Sequence, residues 1–190
     1  MLELTLVEKS MLFARGFKAW RRIESMAKRL YMAIALRVFG AAFDAVSSIS
    51  AECERELADW EEGRRFALGV EPKGPCITLE KKGRRIRMIG TGLKDPHLSI
   101  LFKNLDSAVM VFTTYMGVVQ ATVENRALIK GDNGRAMEVI RILDIIMIYL
   151  LPGFILKKNF RTVPGFTRSQ YLVMLRIYAA LIPALVRTFF

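Results

Sequence analysis

The side chains able to do chemistry in this chain are few and scattered. His97 is its only histidine, next to Pro96 in an Asp-Pro-His loop. A zinc site there would need Cys or carboxylate partners at ligand spacing, and none is present. A general base would need a nucleophile within hydrogen-bond reach, and the sequence nominates none. Cys53 and Cys76, the two cysteines, are far apart and read as buried or free thiols. Gly90-Thr91-Gly92 is a fragment of a phosphate-loop pattern, without the further glycines or the Gly-Lys-Ser/Thr ending. Neither a nucleophile elbow nor a His-Glu-x-x-His pair occurs. Glu52, Glu56, Asp59 and Glu62 recur at helical spacing, which describes a solvated face better than an acid–base pair. Lys81, Lys82, Arg84, Arg85 and Arg87 could grip phosphates, but no aromatic residue stands among them for base stacking. Arg85 and Arg87 alternate with Ile86 and Met88, as on any half-buried strand. The chain is therefore expected not to be an enzyme, to need no metal or cofactor, and not to bind nucleic acid.

What remains is apolar and basic. Hydrophobic residues make up 53% of 190, and the formal net charge is +11. The length suits one domain with extensions and a sizeable core. Charge-free runs such as Ile145–Leu156 and Ile177–Val186 are shorter than the roughly 18–20 residues of a spanning helix, so no transmembrane segment is expected. Glu3 and Glu8 precede the first basic residue, unlike a secretory signal, which points to a cytoplasmic location. The basic excess is strongest at the two ends. Lys and Arg outnumber acids eight to three over residues 1–40 and eight to two over 133–190, whereas acids lead seven to three over 41–70. Such ends attract phosphate-bearing surfaces.

Periodicity supplies the elements. From Thr5 to Phe39, residues Phe13, Phe17, Trp20, Ile23, Leu30, Ile34 and Val38 form an apolar helical stripe, with Arg15, Lys18, Arg22 and Arg29 on another face. This is a basic amphipathic helix, suited to a membrane surface or to packing on its own domain. Gly40 predicts a break, followed by a second helix from Asp44 to Leu68 with Val46, Ile49, Cys53, Leu57 and Trp60 facing inward. Strands are expected at Cys76–Glu80, Arg84–Ile89, Leu98–Phe102 and Ala127–Lys130. Helices are expected at Leu105–Met116, Val118–Asn125 and Asn133–Leu151, the last capped by Asp132. After Pro152-Gly153 and an irregular basic stretch over 154–166, a helix runs from Thr167 to Phe190, with Leu172, Leu175, Ala179, Ile182 and Val186 on one face and a kink at Pro183.

One ordered set is more specific. Lys130-Gly131-Asp132 closes a strand and opens a helix carrying Ala136-Met137, within Leu128–Leu143. Upstream, the run from Leu98 to Ala108 reads as an edge strand followed by a short acidic helix start. Over roughly residues 75–151 this resembles the sterol carrier protein (sterol transfer domain) family. The resemblance implies an α+β fold: a small, largely antiparallel sheet of four or five strands covered by helices. Residues 1–70 would be a helical N-terminal extension, 71–151 the sterol-carrier-like core, and 152–190 a C-terminal helical extension.

It also implies a function: non-catalytic binding or transfer of a sterol, fatty acid or acyl-CoA in a hydrophobic tunnel. Phe102, Met110, Phe112, Met116, Val119, Ile129, Met137, Ile140, Ile146 and Tyr149 would line it, with Arg126 or Lys130 meeting a polar head at the mouth. The methionines suit an adaptable lining. The partners implied are a lipid ligand and, through the basic helices, an anionic membrane surface approached peripherally. The alternative is a homo-oligomeric or scaffold protein whose apolar helices pack on partners without a ligand.

Overall fold

A computed structural model describes residues 6–150 and 168–189. In chain order the elements are α1 (Leu6–Ser47), α2 (Ala51–Glu56), β1 (Arg65–Val70), β2 (Cys76–Lys82), β3 (Arg85–Thr91), β4 (Leu98–Phe102), α3 (Leu105–Phe112), α4 (Val118–Val123), β5 (Ala127–Lys130), α5 (Asn133–Leu150) and α6 (Arg168–Phe189). The strands form one sheet in the order β3-β2-β1-β4-β5. Three ladders are antiparallel, and β1 pairs with β4 in parallel. This is the α+β, largely antiparallel arrangement expected, with five strands. The irregular stretch expected over 154–166 lies outside the described residues, as does Phe190.

Two expectations need correction. Gly40 does not break the first helix; α1 continues to Ser47. A Cβ at position 40 would come within 2.9 Å of Met88 Sδ, so glycine here lets the helix approach the sheet. The second helix expected over 44–68 is also wrong. Ser50 caps a short α2, its Oγ accepting from the Cys53 N–H at 3.4 Å, and the chain turns at Gly63 into β1. The apolar face assigned to that helix is nonetheless buried: Val46, Cys53, Leu57 and Trp60 all join the core.

β1 shows why this strand fits the middle of the sheet. Phe66, Leu68 and Val70 point into the core, while the alternate positions Ala67 and Gly69 are small. Across β2, β4 and β3 the same core face carries Ile77, Leu79, Leu98, Ile100, Phe102 and Ile86. Helix residues Leu36, Phe39, Phe43 and Val46 of α1, and Val139, Ile140, Leu143 and Ile146 of α5, join them in one cluster. Edge-on aromatic pairs link the layers, Phe43 to Phe66 at 5.4 Å and Phe39 to Phe112 at 4.8 Å between ring centres.

The opposite sheet face is crossed by the β3–β4 connection. Both strands run in the direction of β1, so residues 92–97 must return along the sheet while passing two strands. Thr78 holds this crossover. Its Oγ1 donates to the Gly92 carbonyl at 2.7 Å and accepts from the Lys94 N–H at 3.1 Å. At the far end the His97 N–H donates to the Arg65 carbonyl, and the Arg65 N–H donates to His97 Nδ1 at 3.2 Å. Thr78 is fully buried. Thr78→Val removes a donor and an acceptor and is expected to cost about 1–3 kcal/mol, read as a lower urea midpoint at unchanged slope. A midpoint unmoved by the change would show that the crossover needs no anchor.

Candidate functional site

The ten residues expected to line a tunnel do not behave alike. Phe102, Phe112, Met116, Ile140 and Ile146 are buried in the common core. Met110, Ile129 and Tyr149 pack at its margin, and Val119 and Met137 are exposed. The two basic residues expected to meet a polar head already hold carboxylates: Lys130 Nζ lies 2.5 Å from Glu71 Oε1, and Arg126 Nε 2.8 Å from Glu124 Oε2. Asp132 does cap α5, its Oδ1 accepting from the Gly134 N–H at 2.8 Å and the Arg135 N–H at 3.4 Å. His97 serves as a backbone partner where β1 and β4 begin. Burial pushes the Cys53 thiol up to about 12 and the Cys76 thiol up to about 11, so neither supplies a thiolate near neutral pH. Among the described residues no group of His, Cys, Asp and Glu could hold a metal ion.

The most unusual surface is on the two long helices. α1 and α6 pack against each other, yet each turns an apolar stripe to solvent. On α1, Trp20, Ile23 and Leu30, and on α6, Leu172, Leu175 and Ile182, are 59–67% exposed. Ile34 of α1 and Val186 of α6 continue the two stripes. These are apolar faces recognised in the sequence, where helical periodicity alone would let them pack inward. Arg21, Arg22, Arg29 and Arg176 stand exposed on the same helices. The Arg29 guanidinium donates to the Lys73 carbonyl. By length and composition Trp20–Ser47 is apolar enough to cross a membrane, which the charge-free runs alone did not suggest. But 56% of its most apolar window is buried inside the protein, where the C-terminal half of α1 forms core.

Among the described residues three clefts lie elsewhere, and their linings include none of the ten residues. One, of about 320 Å³, has Glu24, Lys28 and Asp106 on its walls, and Lys28 pairs with both acids. A second, of about 530 Å³, lies between α2 and α5, where Arg141 pairs with Glu56 at 2.7 Å. Asp144 sits half-buried on its wall, and burial raises its carboxyl above the usual range. Protonated Asp144 suits this site, so its contribution to stability is greatest in acid and is lost as pH rises through the raised pKa. Asp144→Asn is therefore expected to raise the melting temperature near neutral pH and to lose that advantage in acid. A gain that is the same at every pH would contradict this origin. The third cleft, of about 310 Å³, opens between α1 and the start of β2, and among the described residues that line it Arg37 carries the only charge. Nothing in the spacing of residues so distant in sequence announced it.

No family model matches this sequence, and no curated protein matches it. Among solved structures the chain is similar to sterol carrier protein 2 from Yarrowia lipolytica in its apo form, at 11% identity and a TM-score of 0.39, over 58% of this chain and 87% of that one. It is similar to sterol carrier protein 2 like 2 from Aedes aegypti, at 11% identity and a TM-score of 0.33, over 52% and 95%. It is similar as well to the UbiJ-SCP2 ubiquinone synthesis protein, at 12% identity and a TM-score of 0.37, over 54% and 76%. At these values no ligand, partner or residue role passes from those proteins to this one.

Proposed function

We propose that this chain is a non-catalytic lipid-binding module that takes up a sterol, fatty acid or acyl-CoA and exchanges it at an anionic membrane surface. The observation that carries the reading is the pair of exposed apolar stripes on α1 and α6, with arginines beside them. Each large apolar side chain moved from water into the acyl boundary gains about 1.5–3 kcal/mol, so a few such residues suffice for reversible attachment. The arginines add attraction to anionic headgroups, on the order of 1 kcal/mol each near the surface, and weaken with salt. The scarcity of catalytic groups fits a carrier, which makes and breaks no bond. Of the tunnel set, Met110, Ile129 and Tyr149 have surface to offer a ligand without opening the core.

Native mass spectrometry of the purified protein, followed by organic extraction, tests the lipid half of this reading. The expected result is close to one extractable lipid per chain, exchangeable for an added fatty acid. A protein that is empty and takes up no fatty acid would overturn it. In that case a stable dimer by light scattering would assign the apolar stripes to a second copy of the chain.

A further inference from the structure

The turn that closes α3 holds a threonine in a conformation that threonine rarely adopts. Thr114 has φ 61°, in the left-handed region, where a β-branched side chain crowds the backbone. Such strain persists only where the surrounding structure holds it. Here the last carbonyls of α3 do so. The Thr114 N–H donates to the Val111 carbonyl at 2.9 Å, and the Tyr115 and Met116 N–H groups donate to the Met110 carbonyl at 2.9 and 3.1 Å. The result is an alternation: Thr114 and Met116 are buried, and Tyr115 between them is 77% exposed, more than Trp20 of the α1 stripe. Val119 and Val123 stand one turn apart on α4 and share a face, and both are exposed. Val119, expected in a tunnel, thus belongs to an outer surface.

This corner adjoins the exposed stripe of α1. Tyr31 lies about three helical turns beyond Trp20, so the two share a line of the helix. Its ring is 40% exposed, and its hydroxyl donates at 3.4 Å to the carbonyl of Phe112, the last residue of α3. Tyr115 follows three residues later. Exposed apolar side chains therefore succeed one another from α1, across the end of α3, to α4. The charge here suits an anionic surface. Glu124 is held by Arg126 at 2.8 Å, and Lys103, exposed, donates its backbone N–H to the Arg126 carbonyl at 2.9 Å. Two cations beside one carboxylate draw this edge toward anionic headgroups. A tyrosine ring, apolar in body and polar at its tip, suits the boundary between headgroups and acyl chains.

We infer that the α3–α4 corner is a second membrane contact, in which Tyr115 sits at headgroup level and Val119 and Val123 reach the acyl boundary. The inference rests on the membrane-exchange reading above and adds a contact outside the two long helices, which fixes how the domain stands on the bilayer.

Tryptophan quenching by lipids brominated on their acyl chains tests it, in vesicles of phosphatidylcholine and phosphatidylserine. The chain has two tryptophans, Trp20 on the exposed stripe and Trp60 in the core, so quenching in the wild type reports Trp20. Trp20→Phe is expected to remove that quenching, and Tyr115→Trp added to it to restore quenching, with emission shifted to shorter wavelength. Glu61→Trp in the same Trp20→Phe background, at an exposed position in the acidic stretch before β1, should stay unquenched. In flotation, Tyr115→Glu combined with Val123→Glu is expected to weaken vesicle binding about tenfold or more. The melting temperature without lipid should hold, because both positions are exposed. If the wild type is quenched and Tyr115→Trp is not, the corner assignment fails while the membrane reading stands. It fails in the same way if the Tyr115→Glu, Val123→Glu variant binds vesicles as tightly as the wild type; a dimer lost in that variant would then assign the corner to a second copy of the chain. If the wild type neither binds vesicles nor is quenched, both fail together.

Discussion

Charge placed on the two exposed stripes will detach the protein from membranes and leave its fold intact. In flotation with vesicles of phosphatidylcholine and phosphatidylserine, the wild type is expected to rise with the lipid, and the Ile23→Glu, Leu175→Glu double variant to stay below. Both residues are well exposed, so neither substitution buries a charge in the protein. In the membrane-bound state each change removes an apolar contact and puts a carboxylate near anionic headgroups. Losing about 1.5–3 kcal/mol at each site already weakens binding by two orders of magnitude or more, before the added repulsion is counted. The melting temperature in the absence of lipid should move little, because surface substitutions of this kind stay within about 0.5 kcal/mol. Flotation of the double variant equal to that of the wild type would rule out the stripes as the membrane contact.

The second large effect lies further along the same helix and has the opposite character. Phe43 is fully buried, edge-on to Phe66 of the central strand, within the part of α1 that forms core. Phe43→Ala is expected to cost about 3–5 kcal/mol, a large share of the 5–15 kcal/mol available to a typical domain. Chemical denaturation should show a much lower midpoint or a protein that fails to fold. Trp20→Ala, in the same helix but exposed, should scarcely change that midpoint and should reduce flotation instead. The contrast follows from one helix serving two environments: its C-terminal part is seated on the sheet, and between Trp20 and Leu30 it turns an apolar stripe to solvent. If both substitutions destabilised equally, α1 would have to be buried along its whole length.

Much of this fold is legible in the sequence, for identifiable reasons. Asp132 announces α5 because a carboxylate before an apolar helical run has few other uses. Strands β2, β4 and β5 announce themselves as short apolar runs bounded by turn residues. β1 hides, because Arg65-Phe66-Ala67-Leu68-Gly69-Val70 follows an acidic, helix-compatible stretch; the signal that finds it is the alternation of large and small residues between Gly63 and Pro72. Gly40 misleads for the opposite reason: local propensity predicts a break, and packing against Met88 overrides it. The site is less legible than the fold. Periodicity finds the stripes of α1 and α6 but cannot tell an apolar face that packs inward from one that stays outside. The cleft at Arg37 depends on residues from α1, β2 and β3 meeting in space, which no local pattern encodes.

Lipid exchange at an anionic membrane is read by transfer of a fluorescent fatty acid from donor to acceptor vesicles, with the acceptor's phosphatidylserine content varied. The protein is expected to accelerate transfer, at a rate that rises with the anionic fraction of the acceptor and falls with added salt, and the Ile23→Glu, Leu175→Glu variant to transfer no faster than buffer. Transfer at the buffer rate with wild-type protein, or acceleration that persists unchanged in the double variant, would contradict it.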